Sequence, residues 1–198
     1  MPLTITDFTI PNLLSIVRIV VAPFLIVAGY AGDKYLFLGL LAAALLTDAL
    51  DGYLARRLGQ TSELGNRLDS WGDFVVYLAV PLALWLLWPE LIRRHFFFFG
   101  TAVAAFALPI LVGLVKYRRL TCYHTWGAKI SAVLLAVTTP VLLFGGPAWA
   151  FHMAVMILVL AELEEVVITL TLSTWQGNVP SLWHARKLNQ ERLRKSSG

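Results

Sequence analysis

An all-α membrane fold with six spanning helices is the architecture this sequence predicts, and three observations carry it. Apolar residues fill 58% of the 198 positions and charged residues only 14%, where a soluble domain carries about 25% charged residues. The apolar residues gather into six runs of 17–24 residues, each long enough to cross about 30 Å of hydrocarbon. The Lys and Arg residues cluster between alternate runs, as membrane topology requires.

The first run, Asn12–Tyr30, closes at Gly32-Asp33, and the second covers Tyr35–Leu54. The third, Leu68–Trp88, stops at Pro89-Glu90, and the fourth is Phe96–Val115. Gly145-Gly146-Pro147 separates the fifth, Ala128–Phe144, from the sixth, Trp149–Leu172. Gly and Pro are the strongest local punctuators, so these breaks mark turns. Trp85, Trp88, Trp126, Trp149 and Trp175 fall near run ends, where an interfacial aromatic belt belongs. Phe96–Phe99 reads as lipid-facing or packing surface. With no linker and no internal repeat, residues 1–177 form one six-span domain, followed by a basic tail over 178–198. Leu182, Trp183, Ala185, Leu188 and Leu193 make that tail a short amphipathic helix suited to an anionic membrane surface.

Of the 16 Lys and Arg, 13 lie in the Asp48–Asp73 connection, the Lys116–Lys129 segment, the tail and at Arg18. The other side keeps Lys34, Arg93 and Arg94. The positive-inside rule therefore places both termini and the second-to-third connection in the cytoplasm, and an even number of spans agrees. The pI near 9.4 follows from this placement, so no nucleic-acid face is expected. The single Cys122 excludes an internal disulfide and a cysteine-based zinc site. No basic residues precede the first run, and a cleaved signal peptide is not expected.

The segment from Asp48 to Asp73 carries the chemistry. It follows the pattern D-x2-D-G-x2-A-R-x8-G-x3-D-x3-D, with Asp48, Asp51, Gly52, Ala55, Arg56, Gly65, Asp69 and Asp73 at the fixed positions. A charged side chain at membrane depth costs about 3 kcal/mol on insertion scales, which makes four carboxylates there a functional signal. Asp48 and Asp51 are i, i+3 and Asp69 and Asp73 are i, i+4, so each pair shares a helix face. Converging carboxylates call for a cation, and all-oxygen ligation suits Mg2+ or Mn2+. Gly52, Ala55 and Gly65 leave backbone open to a bulky ligand, and Arg56 offers a planar fork for phosphate oxygen. Together these read as a metal-bound pyrophosphate site. Three other readings stand beside it: an ion-pair network in which Asp48 or Asp51 answers Arg56 or Arg57, an intramembrane prenyltransferase, and a cation-coupled transporter.

The motif resembles the signature of the CDP-alcohol phosphotransferase family at all eight defining positions. Ile10-Pro11-Asn12-Leu13-Leu14, with Arg18 and Pro23, is similar to the opening of the family's bacterial phosphatidylglycerophosphate and cardiolipin synthases. The resemblance implies a homodimer in a bacterial-type inner membrane with active sites open to the cytoplasmic leaflet. It implies transfer of the phosphatidyl group of CDP-diacylglycerol to a small alcohol, with release of CMP. Asp48, Asp51 and Asp69 would hold one or two divalent cations, with Asp73 a further metal residue at the cluster's edge that also takes the acceptor's proton. Gly52, Ala55, Arg56 and Gly65 would form the CDP-binding surface.

Glycerol 3-phosphate is the first-choice acceptor; inositol phosphate, serine, phosphatidylglycerol and unphosphorylated polyols remain open. Where those synthases commonly continue after the third Asp as Pro-x-Ala-Asp-Lys, this chain reads Ser70-Trp71-Gly72-Asp73-Phe74. A phosphorylated acceptor needs a lasting positive charge, and Lys129 is the first candidate, then Arg118 and Arg119, with Lys116 nearby. Glu162 and Glu165 are i, i+3 and face the bundle, to pair with Arg18 or Lys129 or to receive an acceptor, while Glu164 points elsewhere. Arg18 and Asn12 line the cavity from the first span, with Arg18 close enough to snorkel to the interface. His124 is a candidate for the acceptor mouth.

Overall fold

The computed structural model describes residues 9–58, 63–118, 123, 125–176 and 179–196, and no strand occurs among them. The helices in order are α1 (Ile10–Ala31), α2 (Lys34–Arg57), α3 (Glu63–Leu87), α4 (Pro89–Arg94), α5 (Phe96–Tyr117), α6 (Trp126–Leu143), α7 (Ala148–Thr171) and α8 (Leu182–Ser196). Among the described residues, Ile10–Ala31, Arg67–Leu87, Phe96–Tyr117 and Trp126–Leu143 are long and apolar enough to cross a membrane. The chain is therefore a multi-pass, all-helical membrane protein. α2 and α7 are also long, at 24 residues each, but Asp48 and Asp51 interrupt one and Glu162, Glu164 and Glu165 the other.

Local chemistry sets the helix ends. Thr9 caps α1 by accepting from the Asn12 N–H at 3.4 Å, and Pro11 sits in the first turn, where its missing donor costs nothing. Gly32 ends α1 in the left-handed region at φ 70°, and Asp33 at once caps α2 by accepting from Leu36 N–H at 2.9 Å. Thr125 caps α6 through Ala128 N–H at 3.2 Å. Two elements differ from the sequence expectation. α3 begins at Glu63, not Leu68, so Gly65 lies within the helix; apolarity reports only the lipid-immersed part of a helix. The Pro89 break opens the short helix α4, stabilised by Glu90 in its first turn and Arg93 and Arg94 in its last.

The helices divide into two compact units, one up to Arg94 and one from His95. In the first, α1 packs along both α2 and α3. Its buried stripe includes Asn12, Ser15, Arg18, Ala22, Leu25 and Ala28, at the 3–4 residue spacing of one helix face. The opposite face presents Val17, Val20, Phe24 and Val27, 40–57% exposed, as a lipid-facing surface. Gly29 lets α1 approach α3: a Cβ there would stand 3.1 Å from the Ala83 Cα and 3.2 Å from Leu86 Cδ1. At the end of this unit Phe37 meets Trp88 edge-on at 6.0 Å, and Lys34 lies over the same indole at 5.1 Å.

In the second unit α7 packs against α5, α6 and α8. Phe151, Ala154, Val155, Leu158, Ala161 and Ile168 of α7 are buried. The tail helix foreseen from sequence is α8, and its Ala185 enters a cluster of Tyr123, Ile168, Leu172 and Val179. Gly29→Leu should force α1 off Ala83 and cost about 1–3 kcal/mol, read as a lowered thermal unfolding midpoint in detergent.

Candidate active site

The two acidic pairs of the first unit come together at the α2–α3 contact. Asp48, Asp51 and Asp69 each offer a carboxylate oxygen, and these oxygens lie within 4.8 Å of one another. Mg2+ bonds oxygen at about 2.0–2.1 Å, so opposite ligands stand roughly 4.2 Å apart. The three carboxylates fit such an ion after a slight contraction. Accessibility is graded across the cluster: the side chain of Asp48 is 46% exposed, Asp69 24%, Asp73 12% and Asp51 6%. Asp48 is the open end of the site, and Asp51 its floor.

α1 supplies the protein's own counter-charge. Arg18, 2% exposed, pairs with all four carboxylates. Its Nη1 donates to Asp48 Oδ1 and Asp73 Oδ1, and its Nη2 donates to Asp51 Oδ2 and, at 3.2 Å, to Asp69 Oδ1. Ser15, one turn earlier, donates to Asp51 Oδ2 at 3.0 Å and lies 3.3 Å from the Pro11 carbonyl. Two like charges 4 Å apart repel by about 4 kcal/mol at an effective dielectric of 20. Arg18 therefore relieves the repulsion among the four carboxylates it pairs with. The Arg18 Nε is buried and without a hydrogen-bond partner.

These contacts correct two expectations. Arg18 does not snorkel to the interface; four carboxylates are nearer and bind it more strongly than water at the membrane surface. The carboxylates are answered by Arg18 rather than by Arg57, whose Nη1 donates to the Tyr53 hydroxyl at 2.9 Å. Sequence reasoning missed Arg18 as the hub, although Asn12, Ser15 and Arg18 form an i, i+3, i+6 polar stripe on an otherwise apolar span. Gly52 directly follows Asp51 on α2 and Ala55 and Arg56 lie about one turn further on, the side chains of the last two outside the described structure. Gly65 is half-buried on α3, one turn before Asp69.

The acceptor candidates belong to the second unit. Arg118 closes α5 in the left-handed region at φ 53° and is exposed. Lys129 is exposed, its Nζ 5.1 Å over the Trp126 ring rather than paired with a glutamate among the described residues. Arg119 and His124 lie outside the described residues. Lys116 is engaged structurally: its Nζ donates to the carbonyls of Thr169, Leu170 and Leu172 at 2.8–2.9 Å, capping the C-terminus of α7. Glu165 accepts from Thr125 Oγ1 at 3.3 Å and Thr125 N–H at 3.4 Å, while Glu164 accepts from Leu182 N–H at 2.9 Å. Glu165 and Glu164 therefore tie the segment before α6 and the start of α8 to α7. Glu162 is buried, as its spacing from Glu165 predicts.

A family model described as CDP-alcohol phosphatidyltransferase matches residues 8–172, which takes in the Arg18–aspartate cluster and every long helix from α1 to α7. The chain belongs to the CDP-alcohol phosphatidyltransferase family. It is 32% identical over 154 residues to the CDP-diacylglycerol--glycerol-3-phosphate 3-phosphatidyltransferase of Pseudomonas fluorescens, over 72% of this chain and 75% of that protein. The enzyme of the same name from Haemophilus influenzae is 28% identical over 156 residues, 73% of this chain and 78% of that one. Cardiolipin synthase (CMP-forming) of Rattus norvegicus is 44% identical over 78 residues, 39% of this chain; the match spans 26% of that longer relative. No solved structure matches the chain.

Lys116→Met should remove the cap of α7 and lower stability by about 1 kcal/mol, partial exposure screening the charge. The KM for an alcohol acceptor should stay unchanged in that variant, which detergent unfolding and steady-state kinetics together would check.

Proposed function

We propose that this protein transfers the phosphatidyl group of CDP-diacylglycerol to the hydroxyl of a small alcohol, with glycerol 3-phosphate the first choice, and releases CMP. The observation that carries the reading is the convergence of Asp48, Asp51 and Asp69 within 4.8 Å in a chain of this family. The names of the two bacterial relatives support glycerol 3-phosphate as acceptor. Family membership supports this over a prenyltransferase or a cation-coupled transporter.

Asp48, Asp51 and Asp69 would hold a divalent cation, Mg2+ or Mn2+, through their carboxylate oxygens. When bound, that ion supplies neutralising charge for the pyrophosphate and for the CMP that departs. Arg56 would serve phosphate oxygen, and Gly52, Ala55 and Gly65 would admit the nucleotide close to the backbone. Asp73, outside the three-carboxylate set, accepts the proton of the acceptor hydroxyl. The acceptor oxygen forms a new bond to the lipid-side phosphorus, and the bond from that phosphorus to CMP breaks with its electron pair on CMP. For a phosphorylated acceptor, Lys129 is the first candidate for the positive charge, and Arg118 and Arg119 are the next.

In this reading α2 and α7 complete a six-span bundle, with the aspartates and both termini on the cytoplasmic side of a bacterial-type inner membrane. The active form is a homodimer. α8 lies on the anionic leaflet, where exposed Trp183, with Lys187 over its ring at 5.8 Å, suits the headgroup layer.

An acceptor screen with radiolabelled CDP-diacylglycerol tests the proposal most directly: CMP release is expected with glycerol 3-phosphate, and none with any alcohol would refute it. Chelation should abolish turnover and added Mg2+ or Mn2+ restore it. Asp73→Asn should lower kcat by about 10²–10⁴ while CDP-diacylglycerol binding, followed by equilibrium partition, stays near wild type. Lys129→Ala should raise the acceptor KM far more than the KM for CDP-diacylglycerol; an unchanged acceptor KM would redirect attention to a neutral or amino alcohol.

A further inference from the structure

We propose that Arg18 is a stand-in cation that competes with a divalent ion for Asp48, Asp51 and Asp69, yielding them to the ion while keeping Asp73. The inference rests on the metal reading of the cluster given above. Its starting point is how the guanidinium is placed. Nη1 bridges Asp48 of α2 and Asp73 of α3, and Nη2 bridges Asp51 of α2 and Asp69 of α3. One side chain of α1 thus crosslinks the two helices at both levels of the site.

Three of the four carboxylates so engaged are the ones whose oxygens lie close enough to share an ion. A guanidinium donating to those groups and a divalent ion bound among them would be two positive charges at hydrogen-bonding range, competing for the same lone pairs. They cannot both hold all three. Asp73 stands apart from the three-carboxylate set, so it is the contact Arg18 retains when the others are lost. Arg18 then acts as a positioning residue: its retained ion pair fixes the carboxylate that takes the acceptor's proton.

The neck of the side chain is held by packing alone. Nε has no partner although it is buried, so no hydrogen bond anchors the neck of the guanidinium. On that side lies Gly72, where a Cβ would stand 3.4 Å from Nε and 3.6 Å from Cδ; the glycine leaves that contact unfilled.

The stand-in role makes a prediction opposite in sign to a purely structural one. If Arg18 merely supported the fold, removing it would loosen the site and weaken metal binding. If it competes, removing it must tighten metal binding, because the wild-type protein binds metal only in the fraction with the fork withdrawn.

The test uses full-length protein purified in detergent and stripped of metal, with Mn2+ binding followed by the EPR signal of the free ion and thermal unfolding measured with and without Mn2+. R18Q should show a lower metal-free unfolding midpoint, recovered by Mn2+, and a Kd for Mn2+ lower by about tenfold if the competent fraction is near one tenth. Adding D48N to R18Q should restore part of the metal-free stability by removing one repelling carboxylate. R18K keeps the charge but cannot bridge four carboxylates, and should bind Mn2+ more tightly than wild type by a smaller factor. R18K provides the decisive comparison if R18Q is not recovered folded. Wild-type protein that binds Mn2+ as tightly as, or more tightly than, these variants would overturn the exchange alone. Wild-type and variant proteins that all take up no Mn2+ would overturn the metal reading and the exchange with it.

Discussion

Mutual repulsion among Asp48, Asp51, Asp69 and Asp73 is the constraint on which the first unit is built. Carboxylates so close are unstable together unless positive charge lies among them. The chain meets that need from a helix far away in sequence. α1 lies against both α2 and α3, and the face it presents there carries Ser15 and Arg18 at one end and Gly29 at the other. Charge neutralisation and close helix approach are thus properties of a single stripe. The lipid-facing side of the same helix is simply apolar.

The result is a cluster with distinct positions rather than four equivalent acids. Asp51 is nearly enclosed and takes a hydroxyl from Ser15 as well as the guanidinium, whereas Asp48 is half open. A ligand arriving from outside meets Asp48 first.

The glutamates of α7 show the other use of a carboxylate in such a bundle. Glu165 and Glu164 accept from backbone and hydroxyl groups of the segment before α6 and the start of α8, and Lys116 caps the carbonyls where α7 ends. Beside them Tyr123 is buried, its hydroxyl accepting from Thr169 at 3.1 Å, and burial pushes that hydroxyl's pKa up so that it stays protonated. These groups satisfy helix ends, which in a membrane protein have little water to turn to. An acidic residue in an apolar helix is therefore informative only with its surroundings: four acids converge on one guanidinium in the first unit, while acids facing backbone donors make a joint in the second.

By itself the sequence determined the helical class, the order and approximate limits of the long helices, the amphipathic tail and the pairing of the aspartates. All of these are local properties: apolar run length, Gly and Pro breaks, and the i, i+3 and i, i+4 periodicity that puts Asp48 with Asp51 and Asp69 with Asp73. It overlooked α4, and placed the start of α3 late, because hydrophobicity marks contact with lipid and not the reach of the backbone hydrogen-bond ladder. Only the tertiary structure decided that Arg18 stands among the aspartates, that Lys116 belongs to the end of α7 and that Glu164 and Glu165 hold loop and tail. Each of those assignments pairs groups separated by 18 to 56 positions. A long basic or acidic side chain on an apolar helix has several partners within reach in principle, and the choice among them is made by which helix faces meet.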